Sequence, residues 1–255
     1  MSKRKAEGVH GFPDRSIRRR MVDAPHGFEA IKIIVGTGLA AKRFDIHLEL
    51  LIQHSDYFQQ ALRNHKEANK QRVIELTETD PEFFVVFKNF IYEGKIYSQG
   101  DDDMHEMIGG ARARPADREW DRLCNCWLLG EHLVSTSFKD AIVDAIQAKM
   151  KEEECYPLDI HRAIYAKGSC SSRLRNLLVD IAVWEWDIDS IEGCRQWAAE
   201  SRFMIDVAIA LKERLDSDQP QESPFAHQEP CHYHEHVSEG KPCYTTMFRS
   251  SNLFS

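Results

Sequence analysis

The strand-forming signal of this chain is confined to three short runs within residues 31–76. Ile31-Lys32-Ile33-Ile34-Val35 is β-branched and stops at Gly36-Thr37-Gly38, the mark of a strand entering a turn. Arg43 to Ile46 reads as the returning strand of a hairpin. Arg72-Val73-Ile74-Glu75-Leu76 makes the third. The periodic segments after it are all helical, so the order describes an α+β head followed by an all-α half.

From His47 the apolar residues switch period. Leu48, Leu51 and Ile52 fall at i, i+3 and i+4, and Ser55 is placed to cap a second helix, Asp56 to Arg63, with Tyr57, Phe58, Ala61 and Leu62 on one face. Asp80-Pro81 opens the next helix: Asp80 can cap it and Pro81 suits its first turn. Phe83, Phe84, Phe87, Phe90 and Ile91 carry that helix to a stop at Gly94. Residues 98–118 are polar and Gly-rich and read as an exposed loop. Leu123, Trp127, Leu128 and Leu133, then Phe138, Ile142 and Ile146, describe two further helices. Leu174, Leu177, Leu178, Ile181 and Trp184 form a later stripe, and Phe203, Val207, Leu211 and Leu215 another; both read as core faces. The expected division is a basic disordered tail over 1–28, a head over 29–150 (core 29–98, loop 98–118, last helices 119–150), a helical extension over 151–216 and a Pro/His/Cys-rich tail over 217–255.

Composition narrows the function classes. With 42% hydrophobic residues and a net charge of -8, the chain is neither wholly disordered nor a generally basic nucleic-acid binder. No apolar run approaches the roughly 20 residues a membrane-spanning helix needs. The basic N-terminus is not followed by an apolar stretch, so secretion is not expected. Seven cysteines without a disulfide-framework spacing then imply reduced thiols in the nucleus or cytoplasm. The average charge hides a split: residues 1–29 carry seven Lys/Arg against four Asp/Glu.

Three segments, "IKIIVGTGLAAKRFDIHLELLIQHSDYFQQAL", "VIELTETDPEFFVVFKNFIYEGKIY" and "WDRLCNCWLLGEHLVSTSFKDAIVDAI", together resemble a BTB/POZ domain, in the form of the stand-alone BTB proteins of filamentous fungi. The markers are Phe44, His47, Ser55, Tyr57, Phe58, Pro81, Phe84, Tyr92 and Gly94. The resemblance implies a short three-stranded sheet flanked by helices, followed here by the all-α extension. It also implies a non-catalytic module that binds other proteins, as an adaptor or oligomerisation scaffold. Self-association, a cullin-type ubiquitin-ligase scaffold and a nuclear transcription-associated role stand as alternatives. Two positions depart from family patterns. Ala30 and Leu48 stand where transcription-factor-type dimers carry an Asp and a basic residue. Phe84-Val85-Val86 lacks the acid of cullin-recruiting members. The expected contact surfaces are the first strand and helix and the outer side of the helices around 121–149.

Few residues suggest chemistry. Gly36-Thr37-Gly38-Leu39-Ala40-Ala41 fits a dinucleotide fingerprint in spelling, but the chain returns as a strand where a helix would have to open. Asp101-Asp102-Asp103 lacks the spacing of a calcium loop. Ser135, Ser137 and Ser169 lack the setting of a nucleophile, and no enzyme is expected. Lys3-Arg4-Lys5 and Arg18-Arg19-Arg20 form two basic clusters, read either as a bipartite nuclear-localisation signal or as a solvated tail. Cys231, His234, His236 and Cys243 give C-x2-H-x-H-x6-C, two thiols and two imidazoles that suit tetrahedral zinc, with His232 an alternative to His234. Two readings stand for them, a structural zinc knuckle and an exposed His-rich tail.

Overall fold

The computed structural model describes residues 29–64, 73–100, 118–157, 159–193, 201–217, 222–226, 229 and 231–252. The basic clusters, the Asp101–Asp103 run and Cys194 lie outside the described residues. β1 (Ala30–Val35) and β2 (Lys42–His47) form the hairpin, joined by a short 3-10 turn at Gly38–Ala40, so no helix opens at the glycines. β3 (Val73–Leu76) pairs with β1 in parallel, giving the strand order β2-β1-β3. Register puts Phe44, Ile33 and Ile74 in one row, and Val35 beside Leu76. With a side-chain period of two, Ile31, Ile33 and Val35 all turn toward the helices and are buried.

This order bears on the first strand, one of the expected contact surfaces. β1 is the central strand, with both edges paired, and offers no free edge to a partner. Parallel pairing of β3 on its far side is the cause.

α1 (Leu48–His54) and α2 (Asp56–Asn64) follow the hairpin, and α3 (Pro81–Glu93) follows β3. Asp80 caps α3 by accepting from the Glu82 N–H at 2.8 Å, with Pro81 in the first turn, where it has no N–H to lose. Phe84, Phe87 and Phe90 run down its buried side, and Phe44 of β2 packs on Phe84 at 5.0 Å between ring centroids. α4 (Arg118–His132) and α5 (Thr136–Glu153) close this core, Phe138 lying 5.2 Å from Phe87 and 5.4 Å from Phe90. The α4–α5 corner is stitched to α2: Ser55 Oγ donates to the Leu133 carbonyl at 2.6 Å and accepts from the Phe58 N–H at 3.2 Å.

The extension consists of α6 (Ile160–Lys167), α7 (Arg173–Trp184), α8 (Ile188–Gly193) and α9 (Ser201–Asp216). α6 lies on α4, and α7 and α9 pack against each other beyond it. Ile160, Ile164, Leu174, Leu177, Leu178 and Ile181 join the buried cluster that begins in the sheet, so head and extension share one core. The outer side of α4 expected to receive partners is thus partly taken by α6. α9 is buried through Phe203 and Val207, but Leu211 is 37% and Leu215 80% exposed. The stripe read from the sequence is a core face in its first two turns and solvent-facing beyond, where α9 meets the end of α7 through Arg214 instead. α10 (His236–Glu239) and α11 (Tyr244–Asn252) complete the chain.

Among the described residues, no helix is long and apolar enough to cross a membrane.

Candidate metal centre

The family markers fall into two groups. Phe58 and Phe84 are fully buried, Pro81 is buried, and Ser55 ties α2 to the α4–α5 corner. Phe44 and Tyr57 are partly buried against the core. Tyr92, another of the markers, is 36% exposed. Its hydroxyl meets His47 Nδ1 at 2.7 Å and accepts from the His47 N–H at 3.2 Å. His47 precedes α1 without capping it and instead links the end of β2 to α3. Gly94 adopts φ +71 at the end of α3, a conformation that favours glycine, and donates its N–H to Phe90 at 2.7 Å.

Gly94 has a second role that the sequence did not suggest. A Cβ there would lie 2.6 Å from Cγ of Phe248, so the absent side chain makes room for an aromatic ring from α11. Phe248 packs 5.4 Å from Phe90 and stacks on His54 at 5.3 Å with a 12° interplanar angle. Burial lowers the His54 pKa from 6.5 to about 4, so the ring is neutral, with Nδ1 3.1 Å from Ser137 Oγ. This Ser–His pair is sealed beneath aromatic rings and serves packing.

The last described segment is therefore docked, and the picture of 217–255 as a tail changes for residues 231–248. Tyr233, His234, Glu235 and His236 are all buried. Tyr233 donates to Asp180 of α7 at 2.7 Å, and Glu235 accepts from the Arg173 N–H at 2.8 Å. The main anchor is Asp140 of α5, 0% exposed, which accepts from the Glu235 N–H at 2.6 Å and the His236 N–H at 3.3 Å. One turn further along α5, Asp144 accepts from the Tyr244 hydroxyl at 2.6 Å.

These ties bring together the four residues of the C-x2-H-x-H-x6-C motif. One ligating atom from each of Cys231, His234, His236 and Cys243 lies within 4.8 Å of every other. The two sulfurs are 3.8 Å apart. Each imidazole is held by a carboxylate through one nitrogen. His236 Nδ1 lies 2.7 Å from Asp140, which leaves Nε2, and His234 Nε2 lies 2.8 Å from Asp144, which leaves Nδ1. His234 Nδ1 is buried without a hydrogen-bond partner, and the Cys243 thiol lies close to the ring. Burial disfavours the charged form of His234, yet the adjoining Asp144 and Asp140 carboxylates raise its pKa above the ordinary value. Burial likewise works against a Cys243 thiolate, but hydrogen bonds from Thr245 and Cys231 outweigh it and the pKa falls. Cys231 is pushed up to about 11 by burial and by Cys243 beside it.

Two thiols of α4 behave as small apolar groups. Cys124 and Cys126 are buried in α4, and burial raises both, Cys124 to about 12. A polar cleft of about 350 Å³ borders Thr136, Lys139, Ser169 and Ser171. Its groups satisfy one another: Lys139 pairs with Glu131 at 2.6 Å, Thr136 with Glu239 at 2.7 Å, and the two serine hydroxyls lie 3.4 Å apart.

A small mixed sheet backed by helices, with the aromatic residues of α3 packed in the core, defines the fold of the head. The particular family follows from comparison: residues 29–112 match the model of the BTB/POZ domain. The chain thus carries a BTB/POZ domain followed by a helical region, and that domain is a protein-interaction module, generally non-enzymatic. No curated protein matches the chain.

Proposed function

We propose that this chain acts as a non-catalytic adaptor or oligomerisation scaffold, working by burial of surface against other proteins. The BTB/POZ match supports an interaction role for the head. The observation that carries the adaptor reading is a set of exposed aliphatic residues on the extension. Ile188 is 74% exposed on α8, and Ile205 and Ile209 are 55% and 53% exposed on α9, a helix otherwise rooted in the core by Phe203 and Val207. Ile205 and Ile209, one turn apart on the same face of α9, favour a contact surface outside the BTB/POZ domain.

The test compares the full chain with the Ile205→Asp/Ile209→Asp variant. Light scattering reads the mass of each, and proximity labelling in cells reads their neighbours. An adaptor loses a defined subset of neighbours in the variant and keeps the rest. A scaffold built on self-association shows a multiple of the chain mass. A single-chain mass at every concentration, with identical neighbours for both proteins, would overturn the proposal. Binding of a purified cullin scaffold in the same assay would specialise the adaptor to ubiquitin ligation.

A further inference from the structure

We propose that Cys231, His234, His236 and Cys243 bind one zinc ion, and that this ion clasps the C-terminal segment onto α5. Two thiolates and two imidazoles are a donor set that zinc takes in tetrahedral structural sites. The spacing agrees. With Zn–S bonds of about 2.3 Å, two sulfurs on a tetrahedron stand about 3.8 Å apart. The Cys231–Cys243 distance is 3.8 Å. That is far beyond the roughly 2.05 Å of a disulfide bond. Across the four ligand atoms the separations reach 4.8 Å at most. Closing them onto a metal takes little more than about 1 Å of movement.

The surroundings argue for the same occupant. An imidazole that binds zinc usually has its other nitrogen tied to a carboxylate or carbonyl, which fixes the ring and raises its basicity. Both rings here are tied in that way, to Asp140 and Asp144. The nitrogen left on His234 is buried and unpartnered, a costly arrangement in a site without a ligand. Two carboxylates and two thiols converge on this small volume, and a divalent cation balances the two thiolates. Cys231 also sits at φ +72, a left-handed conformation unusual for a residue with a side chain. It persists where surrounding bonds over-determine it, as a metal–sulfur bond would.

The ion would act structurally. All four positions are filled by protein, which leaves none for a water or substrate. Cys231 and His234 precede α10, His236 opens it and Cys243 immediately precedes α11, the helix that carries Tyr244 and Phe248. Fixing Cys243 therefore fixes the start of α11 and the placement of Phe248 over Gly94.

The test uses the full-length chain purified under reducing conditions. Elemental analysis is expected to give about one zinc per chain, falling at least about tenfold in the Cys231→Ser/Cys243→Ser variant. Exchange with cobalt alone is expected to give the visible bands of a tetrahedral thiolate–imidazole site. Because the double variant can fail to fold, alkylation of the unmodified chain supplies a second measurement. Cys231 and Cys243 are expected to resist the reagent until zinc is stripped by chelation, while the exposed Cys170 reacts throughout. A cooperatively folded preparation that holds no zinc, and gains none when zinc is added, would overturn the proposal. So would a Cys231–Cys243 disulfide in the reduced preparation, or equal reactivity of these thiols before and after chelation.

Discussion

The head and the C-terminal segment contact α5 through different residues, Phe138 for the first and Asp140 and Asp144 for the second, and these contacts are of different kinds. In the first, Phe87, Phe90 and Phe138 meet ring to ring. That contact needs apolar residues of about the right size and little else. In the second, buried Asp140 receives two backbone N–H groups and an imidazole, and Asp144 receives a second imidazole and a phenol. Such a contact is directional and strict: removing one partner leaves another buried and unsatisfied. The lesson is one of reach. A packed apolar core spreads the loss of one member over the whole cooperative unit, whereas a polar clasp fails locally and releases what it holds.

The sharpest way to break this contrast is Phe84→Ala. Phe84 is fully buried between the sheet and α3. Its truncation should cost about 4 kcal/mol. Urea unfolding should show the loss, and hydrogen exchange should show protection falling throughout the head. Next in size, Asp140→Ala should cost about 3 kcal/mol, yet its exchange signature should be confined to residues 233–248. Equal loss of protection in β1 would remove the distinction between the two contacts.

Acid offers a third approach, through His54, where the head and the C-terminal segment meet. Its folded pKa, about 4, lies below its ordinary 6.5, so between those values the unfolded chain binds a proton the folded one excludes. Stability from this group is complete above pH 6.5, falls as pH drops toward 4 and then levels; the total loss is on the order of 3 kcal/mol. His54→Gln should flatten that slope in a pH series of urea midpoints. An unchanged slope would mean that other groups set the acid response.

A smaller effect probes Phe248 over Gly94. Gly94→Ala places a methyl group against the ring and forces a side chain into φ +71. It should cost about 2 kcal/mol. In a Phe248→Ala background roughly half of that cost should remain, the backbone part alone. Full retention of the cost would show that the ring is not held there in solution. Smallest is Asp80→Ala, the loss of an exposed cap, expected to cost about 1 kcal/mol with no effect on residues 231–248.

Local features of the fold were legible because local physics makes them. β-branched runs, a Pro after a capping Asp and a glycine at a helix end each declare themselves within a few residues. The four metal-ligand candidates were also visible as a spacing. What brings them together was not. Asp140 and Asp144 look in sequence like two solvated acids one turn apart, and their partners lie some 90 residues further on. One signal was available: Ala141-Ile142-Val143 is apolar at three successive positions, which covers too much of a helix circumference for a one-sided stripe. A helix buried on that many sides needs a second layer, and the C-terminal segment supplies it. The centrality of β1 and the exposed end of α9 depend on strand order and helix packing, which residue patterns do not encode.

The bonds from Asp140 and Asp144 to residues 234–244 also constrain the path of the chain between them. α6 to α9 form an excursion that leaves from α5 and comes back to α5. It leaves α5 at Glu153 and is tied back to the same helix at Asp144 and Asp140, about three turns earlier. Such a loop cannot swing as an appendage, and severing it once does not free it. A single backbone cut between α7 and α9 should leave two fragments that travel as one particle in gel filtration, and should separate them only when the clasp at α5 is undone as well.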